Sequence, residues 1–328
     1  MVVTVGMIAG LVAFSAFADS PTLQDFLAAM DLSSDEIDRA RAGEIISGTA
    51  KASHDREIVA TLAFLIRGVS PDELVKRGEG GLLDKVDEQT IAYSILQGAP
   101  TLESFSKLRL RAKDVEKFRR AKAGDDLNLS QDEIDSLQKL GKGAEVDKVE
   151  AAIHAVLLAR MKSYQAKGLA GIAPYQRSHD ELRSAAEDLK LASLATKAIK
   201  QITPDAYRLL LEYPSSIPEG TQETYRWGYL EAHDEPTIVL THNLYIPEGE
   251  TWIVVQRQFY VSEGYNSEQA IAAFVPVSEG TAVFYINRTS TDQVSGFGGG
   301  AKRSIGSKLL ASQLRALFAK VSEVVETP

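Results

Sequence analysis

Cysteine is absent from this chain of 328 residues. Its absence excludes thiol catalysis, cysteine-ligated zinc, iron–sulfur clusters and disulfide bonds. The five histidines are not spaced as HxxxH or HExxH, so the sequence predicts no metal site. A G-x-S-x-G nucleophile elbow is also missing, which leaves a hydrolase of that type unsupported. We therefore predict no metal, no cofactor and no assigned catalytic residue.

Basic residues are in the minority, with 36 Lys and Arg against 45 Asp and Glu and a net charge of −9. Because phosphate affinity depends on clustered Lys and Arg, we predict no nucleic-acid partner.

Two short motifs do not complete the binding sites that they resemble. Residues 126–137 begin like a calcium loop, but Gln131 and Leu137 stand where Gly and Glu are needed. The glycine-rich residues 296–302 lack the pattern of a nucleotide-phosphate loop and indicate a hinge.

The first 18 residues, MVVTVGMIAGLVAFSAFA, carry no charge and end in a small-x-small triplet. This pattern is typical of a signal peptide, so we expect residues 1–18 to be removed and the mature chain to begin at Asp19. The expected location is the bacterial periplasm or the exterior. The first basic residue is Arg39, so either translation starts further upstream or the segment is an uncleaved anchor. No later run reaches membrane-spanning length.

Residues 237–289 contain four apolar runs with short turns between them: TIVLTHNLYI, TWIVVQRQFYV, AIAAFVPV and TAVFYINRT. Strands joined this tightly form an antiparallel meander. Residues 301–325 follow with one broad apolar stripe, which predicts a long helix lying against the sheet. The sequence therefore predicts a strand meander plus a C-terminal helix over residues 220–328.

Earlier in the chain, residues 44–49 and 57–66 read as strands, and the second is apolar on both faces. We expect that strand to pair with the C-terminal block. Ser70-Pro-Asp-Glu opens a helix, and the reading stays helical to about Leu211. The predicted fold is a single α+β domain over residues 19–328, with a mainly helical insertion at 101–211.

Arg257 interrupts an apolar row of one predicted strand, formed by Ile253, Val255, Phe259 and Val261. A buried guanidinium needs a partner, and the carboxylates considered for this role are Asp292, Glu231 and Glu223. Alternatively this end of the strand faces solvent and Arg257 extends into water. Other amphipathic side chains in the region are also candidates for a pocket, although aromatic residues in strands are more often core. The full candidate set for a ligand cavity is Tyr225, Trp227, His242, Arg257, Tyr260, Tyr285, Asn287 and Asp292.

Segments around residues 225–229, 241–242, 256–260 and 286–292 resemble uncharacterised exported bacterial proteins. The order of elements resembles the START-like, or helix-grip, fold, in which an antiparallel sheet grips a long C-terminal helix. That resemblance implies an internal cavity for a lipid or another apolar ligand. The helical residues 101–211 depart from the pattern and would be an insertion.

Three functional hypotheses follow. The first is an exported, non-catalytic protein that binds a hydrophobic small molecule or lipid between the sheet and the C-terminal helix. The second is an envelope protein-interaction module that works through residues 101–211. The third is an enzyme that uses the same cavity, with Arg257 binding an anion and His242 and Asp292 as an acid/base pair.

Overall fold

The structure is a computed structural model that describes residues 20–124, 126–178, 181–232 and 235–327. The predicted signal peptide lies outside the described residues. The helices are α1 (Leu23–Met30), α2 (Ser34–Arg41), α3 (Pro71–Glu79), α4 (Leu82–Val86), α5 (Ala112–Arg119), α6 (Gln131–Gln138), α7 (Val146–Lys167), α8 (Ala185–Ala195), α9 (Lys197–Ile202), α10 (Pro204–Glu212) and α11 (Gly299–Glu326). None of these helices is both long enough and apolar enough to cross a bilayer.

The strands are β1 (Ile46–Ser47), β2 (Glu57–Arg67), β3 (Thr90–Ile95), β4 (Tyr175–Gln176), β5 (Leu182–Arg183), β6 (Gln222–Ala232), β7 (Glu235–Glu248), β8 (Thr251–Val261), β9 (Ser267–Val277) and β10 (Gly280–Ser290). Eight of them form one sheet in the order β1-β2-β10-β9-β8-β7-β6-β3, and β4 pairs with β5. All the pairings are antiparallel. The predicted α+β class, with a large antiparallel sheet and a C-terminal helix, is confirmed.

Strand β2 joins the two ends of the chain. It pairs with β10 along its whole length, from Glu57 opposite Ser290 to Arg67 opposite Gly280. The predicted pairing of residues 57–66 with the C-terminal block is therefore confirmed. Every apolar side chain of β2 from Val59 to Ile66 is buried, which agrees with the prediction that both faces of this strand are covered.

The two faces of the sheet are covered by different parts of the chain. Because side chains alternate along a strand, Phe64 and Val283 face α11, and we call this side the inner face. Val255 and Phe259 lie on the opposite side, the outer face, in a core that includes residues of α5 to α10. The helical middle of the chain thus packs against the outer face, away from α11.

Helix α11 lies along β2. Near its start, the Val59 N–H donates to Ser307 Oγ at 3.1 Å, and near its end the Arg67 N–H donates to Glu326 Oε1 at 2.8 Å. Gly298 precedes the helix with φ +73°, a left-handed conformation that glycine adopts without strain. The glycine-rich segment therefore turns the chain back over the sheet, as the hinge interpretation expected.

Four strands, β3 to β6, were missed by the sequence, and two of them, β4 and β5, form a short hairpin within the stretch that was predicted to be helical. β6 makes the C-terminal block five strands long rather than four, because its charged residues Glu223, Arg226 and Glu231 obscure the apolar alternation. β3 lies within the stretch that was predicted to be helical, and that prediction was wrong for Thr90–Ile95. This strand is short and sits at the sheet edge, where it pairs only with β6. A run of six residues carries too little periodicity to reveal it.

Candidate functional site

A cavity of about 100 Å³ lies between the inner face and helix α11. Its walls come from β2, β6 to β10, α3, α4 and α11. Leu74, Phe274, Phe318 and Val321 contribute apolar surface to it. A smaller cavity of about 70 Å³ lies between α1, α2 and the sheet, and its lining is almost entirely apolar. We consider the larger cavity the stronger candidate because buried polar groups also reach it.

Aromatic packing fixes the position of α11 over this cavity. The Phe318 ring centroid lies 5.1 Å from that of Phe64 and 4.8 Å from that of Tyr285. Phe318, Val321 and Val325 are spaced three and four residues apart, so they share one helix face and are all buried. The second half of α11 is therefore held firmly against the sheet.

The open space comes from small side chains on β9. Ala270 and Ala272 occupy successive inner-face positions of that strand and both line the cavity. Their neighbours across the strands are larger, since Ala272 pairs with Tyr285 and with Val254. Two alanines between larger residues leave a depression in the middle of the sheet.

A buried ion pair forms one polar wall. Arg226 of β6 donates through Nη1 to the Asp84 carboxylate of α4, and both side chains are less than 10% exposed. Burial raises the pKa of Asp84, and the charge of Arg226 opposes that shift. Arg226, Asn243 and Gln256 all line the cavity. A bound molecule would meet hydrogen-bonding groups here, with the arginine charge already neutralised.

The inner face stays polar beyond the cavity lining as far as Glu268, two positions before Ala270 on β9. We call these polar inner-face residues, together with Arg226, Asn243 and Gln256, the polar floor. Thr289 Oγ1 lies 3.2 Å from Glu268 Oε2, and Asn287 Nδ2 donates to Tyr285 Oη at 3.3 Å. Burial raises the pKa of Glu268. Some of its surface nevertheless remains accessible. No ion pair to Glu268 occurs among the described residues.

Thr241 adds an unsatisfied hydroxyl to this floor. It pairs with Arg226 on one side and with Gln258 on the other, so it shares the inner face with them. Its side chain is fully buried, and its Oγ1 has no hydrogen-bond partner in the described part of the chain. A buried hydroxyl of this kind costs free energy unless a small molecule or water satisfies it.

The candidate residues predicted from sequence do not converge on one site. Tyr285 lines the cavity, and Asn287 is hydrogen bonded to it. Five others lie on the outer face: Tyr225, Trp227, His242, Arg257 and Tyr260. Trp227 donates to the Ser104 carbonyl at 2.8 Å, and Tyr260 packs under the Arg160 guanidinium at 4.3 Å. Asp292 lies just beyond the end of β10.

Arg257 is fully buried and connects the sheet to two helices. Its Nε and Nη2 donate to Gln269 Oε1 at 3.0 and 2.8 Å, and Nη2 also donates to the Leu210 carbonyl of α10 at 2.8 Å. Nη1 donates to Tyr164 Oη of α7 at 3.3 Å. The three carboxylates considered from sequence are not among these partners. Arg257 therefore points away from the cavity and anchors α7 and α10.

His242 continues this network. Its Nδ1 lies 3.1 Å from Tyr164 Oη and its Nε2 lies 2.9 Å from Glu223 Oε2. Burial lowers the pKa of His242, although Glu223 opposes that shift, and the bond to His242 lowers the pKa of Glu223. A neutral ring protonated at Nε2 satisfies every contact, because Tyr164 can then accept from Arg257 and donate to Nδ1.

Asp292 belongs to a different cluster. Arg183 Nε lies 2.8 Å and Arg177 Nε 3.1 Å from its carboxylate, and Arg56 Nε lies 3.7 Å away. Burial opposes ionisation, yet these arginines hold the pKa of Asp292 below its usual value. The cluster ties the β4–β5 hairpin to the end of the sheet. Asp292 is thus separate from both Arg257 and His242.

The cavity combines apolar surface with hydrogen-bonding side chains. Among the described residues, no group of three or more His, Asp or Glu side chains is placed to hold a metal ion. The cavity has an apolar end under α11 and a polar side formed by Arg226, Asn243 and Gln256. This arrangement can hold the apolar part of a small molecule and hydrogen bond to its polar part.

The polar floor was not predicted, but the sequence contains a signal for it. Four strands each place two polar residues two positions apart, which puts both on the same face. These pairs are Thr224 and Arg226, Thr241 and Asn243, Gln256 and Gln258, and Asn287 and Thr289. The repeated spacing across adjacent strands is what marks a polar inner face. Asp84 carried no comparable signal.

No family model, curated protein or solved structure matches this chain.

Proposed function

We propose that this chain is an exported binding protein of the helix-grip type, which holds a small amphipathic molecule between its sheet and α11. The observation that carries this proposal is the cavity under α11, with apolar walls and a polar floor. Binding is non-catalytic, and the helical middle supports the sheet from its outer face.

The order of the elements supports a helix-grip assignment. An early strand, β2, lies next to the last strand, β10, and the helix that follows β10 lies over the face between them. Helix α3 opens at Ser70, whose Oγ accepts from the Glu73 N–H. Residues 102–212 then enter between β3 and β6 and pack on the opposite face. An insertion placed there leaves the gripped helix and its cavity intact.

The size of the cavity limits the ligand. Drug-sized ligands occupy pockets of about 300–1,000 Å³, whereas an apolar cavity of about 150 Å³ accommodates a benzene ring. A space of about 100 Å³ therefore holds a very small ring or a short acyl segment. A full lipid chain would require α11 to move away from the sheet.

The polar floor specifies the rest of the ligand. Asp84 neutralises Arg226, so the wall they form offers hydrogen bonds rather than net charge. Asn243 and Gln256 line the cavity and offer amide donors and acceptors. These groups fit a hydroxyl or amide on a ligand whose other end is apolar.

The residues of the enzyme hypothesis support a non-catalytic role. Arg257 is fully buried and bonded to Gln269, Tyr164 and the Leu210 carbonyl. His242 faces Arg257 across the β7–β8 pair, but Asp292 lies in the arginine cluster. All three act in the scaffold, and none of them lines the cavity.

Filling the cavity tests the proposal. We expect 1-butanol, a short apolar chain with one hydroxyl, to bind at a single saturable site in an NMR titration, and Ala272→Phe to weaken that binding at least tenfold. Ala166→Phe on the exposed side of α7 is the matched control and should bind as the wild type does. Thermal unfolding of each variant checks that the fold is kept.

Equal 1-butanol binding by both variants would reject the cavity as the site. As an independent test of the proposal, native mass spectrometry of protein purified from its own host should show a bound small molecule that Ala272→Phe has lost. N-terminal sequencing of the same material tests export, since a first residue of Asp19 is expected. If protein partners instead co-purify through residues 101–211, the interaction hypothesis is the better one.

A further inference from the structure

Helix α11 has a second apolar face that points away from the sheet. Ile305 and Leu309 are 68% and 50% exposed and lie one turn apart on the same side of the helix. Nine residues separate Ile305 from Leu314, about two and a half turns, which places them on opposite sides. Leu314 packs against the inner-face core. The first half of α11 is therefore apolar on its outward side as well.

Phe297 extends this surface. It lies between Gly296 and Gly298, both at φ +73°, and is fully exposed. No other large apolar side chain of the described residues is as exposed as Phe297. Phe297 precedes the first residue of α11 by two positions, and we call Phe297, Ile305 and Leu309 together the α11 strip.

The charged residues of the sequence around this strip are all basic. Residues 295–322 contain Lys302, Arg303, Lys308, Arg315 and Lys320 and no Asp or Glu, in a chain whose net charge is −9. Arg303 donates to the Asp55 carbonyl, Arg315 donates to Ser47, and Lys320 pairs with Glu88. Lys302 and Lys308 are exposed and have no ion-pair partner within the described ranges. Each lies three residues from Ile305 and therefore flanks the strip.

We propose that the α11 strip docks the protein onto the surface of an anionic membrane. A helix with apolar residues on one face and flanking lysines lies in the plane of a lipid interface, with its apolar side chains among the acyl chains. Each lysine close to the surface adds attraction to anionic headgroups. Clustered cations on an otherwise acidic protein give the charge complementarity that this partner requires. An acidic protein partner would match the lysines but gives no role to the fully exposed Phe297.

Co-sedimentation with vesicles tests docking in the full chain. We expect binding to vesicles of equal parts phosphatidylcholine and phosphatidylglycerol and little binding to phosphatidylcholine alone. Lys302→Gln with Lys308→Gln should lower the ratio of bound to free protein about 25-fold, since each lysine contributes about fivefold. Phe297→Ser with Ile305→Gln and Leu309→Gln should lower it at least tenfold. Raising the salt concentration should release the wild type.

The controls use equally exposed residues elsewhere. Lys139→Gln with Lys142→Gln removes two exposed charges, and Leu102→Ser removes a leucine that is 55% exposed. Both should bind vesicles as the wild type does. Failure to sediment with phosphatidylglycerol vesicles, or an equal loss in the control variants, would overturn the proposal. Cavity occupancy, measured by 1-butanol binding without vesicles, should be unchanged in all of these variants, so docking and ligand binding are separable.

Discussion

Arg226 of β6 and Asp84 of α4 form a buried ion pair at the wall of the cavity, and this pair joins the sheet to helix α4. Burying both charges costs desolvation energy, which their mutual attraction has to offset. The pair therefore adds little net stability compared with an apolar pair. Its value lies in presenting fixed hydrogen-bonding groups at the cavity.

Breaking this pair from one side is expected to be costly. Arg226→Met should lower the free energy of unfolding by about 3 kcal/mol at pH 7.5, because it leaves the Asp84 carboxylate buried without a cation. Burial already raises the pKa of Asp84. Loss of the guanidinium raises that pKa further, so the defect should shrink as the pH falls and the carboxyl group protonates. Urea unfolding at pH 7.5 and pH 5 measures both effects.

The double variant Asp84→Leu with Arg226→Met is the control for that prediction. It removes both charges and should be close to the wild type in stability, or above it. A double variant as unstable as Arg226→Met would show that Arg226 acts through packing and not through its charge. Ligand binding should nevertheless weaken in the double variant, because the polar wall is lost.

Glu268 should make the fold less stable as the pH rises, whereas most carboxylates in folded proteins have the opposite effect. Its pKa in the fold is raised above the ordinary 4.5, so the protonated form is favoured in the native state. The stability it contributes is present below pH 4.5 and is lost as the pH rises through the raised pKa. The groups near it are Tyr265, Tyr285, Asn287, Thr289 and Arg226.

Glu268→Gln keeps the shape and removes the titration. This variant should be more stable than the wild type at pH 7.5, and the difference should shrink toward pH 4. Urea unfolding across that range measures it, and Glu103→Gln on the exposed surface is the control. A variant less stable than the wild type at pH 7.5 would mean that the ionised carboxylate has a cationic partner.

The sequence predicted the fold where its signals were local and repeated. Strong alternation in residues 237–289 identified β7 to β10, and the apolar stripe of residues 301–325 identified α11. The two-sided apolar pattern of residues 57–66 correctly implied a central strand. β3 escaped because a six-residue edge strand depends on its pairing with β6 for its conformation.

The site was harder to predict because it depends on which face each strand presents. Arg257 drew attention as a charge in an apolar row, but that row belongs to the outer face, and its partners come from α7 and α10. Neither helix is close to Arg257 in sequence. The cavity instead depends on Ala270 and Ala272, which are small and apolar and suggested no function. A cavity depends on the sizes of side chains that meet only in the folded sheet, so the residue types along the sequence did not reveal it.

His242 should lower the stability of the fold in mild acid. Its pKa is lowered from the ordinary 6.5 by burial, so stability falls as the pH drops below 6.5 and the unfolded chain gains a proton. The nearby charged and titratable groups are Glu223, Arg257, Tyr164, Tyr213 and Tyr225. The lowered pKa of Glu223 acts only below its ordinary 4.5. Between pH 6.5 and 4.5 the histidine effect is therefore separate from that of Glu223.

His242→Gln should be less stable than the wild type at pH 7.5, because it loses the stacking on Tyr225 at 4.4 Å. Its stability should then vary less between pH 6.5 and 4.5. Thermal unfolding at several pH values measures this slope. His154→Gln is a useful comparison, since the pKa of His154 is also lowered by burial but its ring contacts the Leu108 carbonyl instead. An unchanged slope in His242→Gln would show that the pKa of His242 is the same in the folded and the unfolded chain.

Substitution of Arg257 tests whether this residue has a structural or a catalytic role. Arg257→Met keeps much of the side-chain volume but leaves Gln269 and the Leu210 carbonyl without their buried donor. We expect a loss of about 3 kcal/mol in the free energy of unfolding, with amide exchange rising first in α7 and α10. Arg208→Met is the matched control, because Arg208 is exposed on α10 and pairs with Asp205. That change should stay within about 0.5 kcal/mol of the wild type.

Arg257→Met with unchanged stability and a lost activity would instead place Arg257 in a reaction. The complete burial of Arg257 and its full set of hydrogen bonds argue against that outcome.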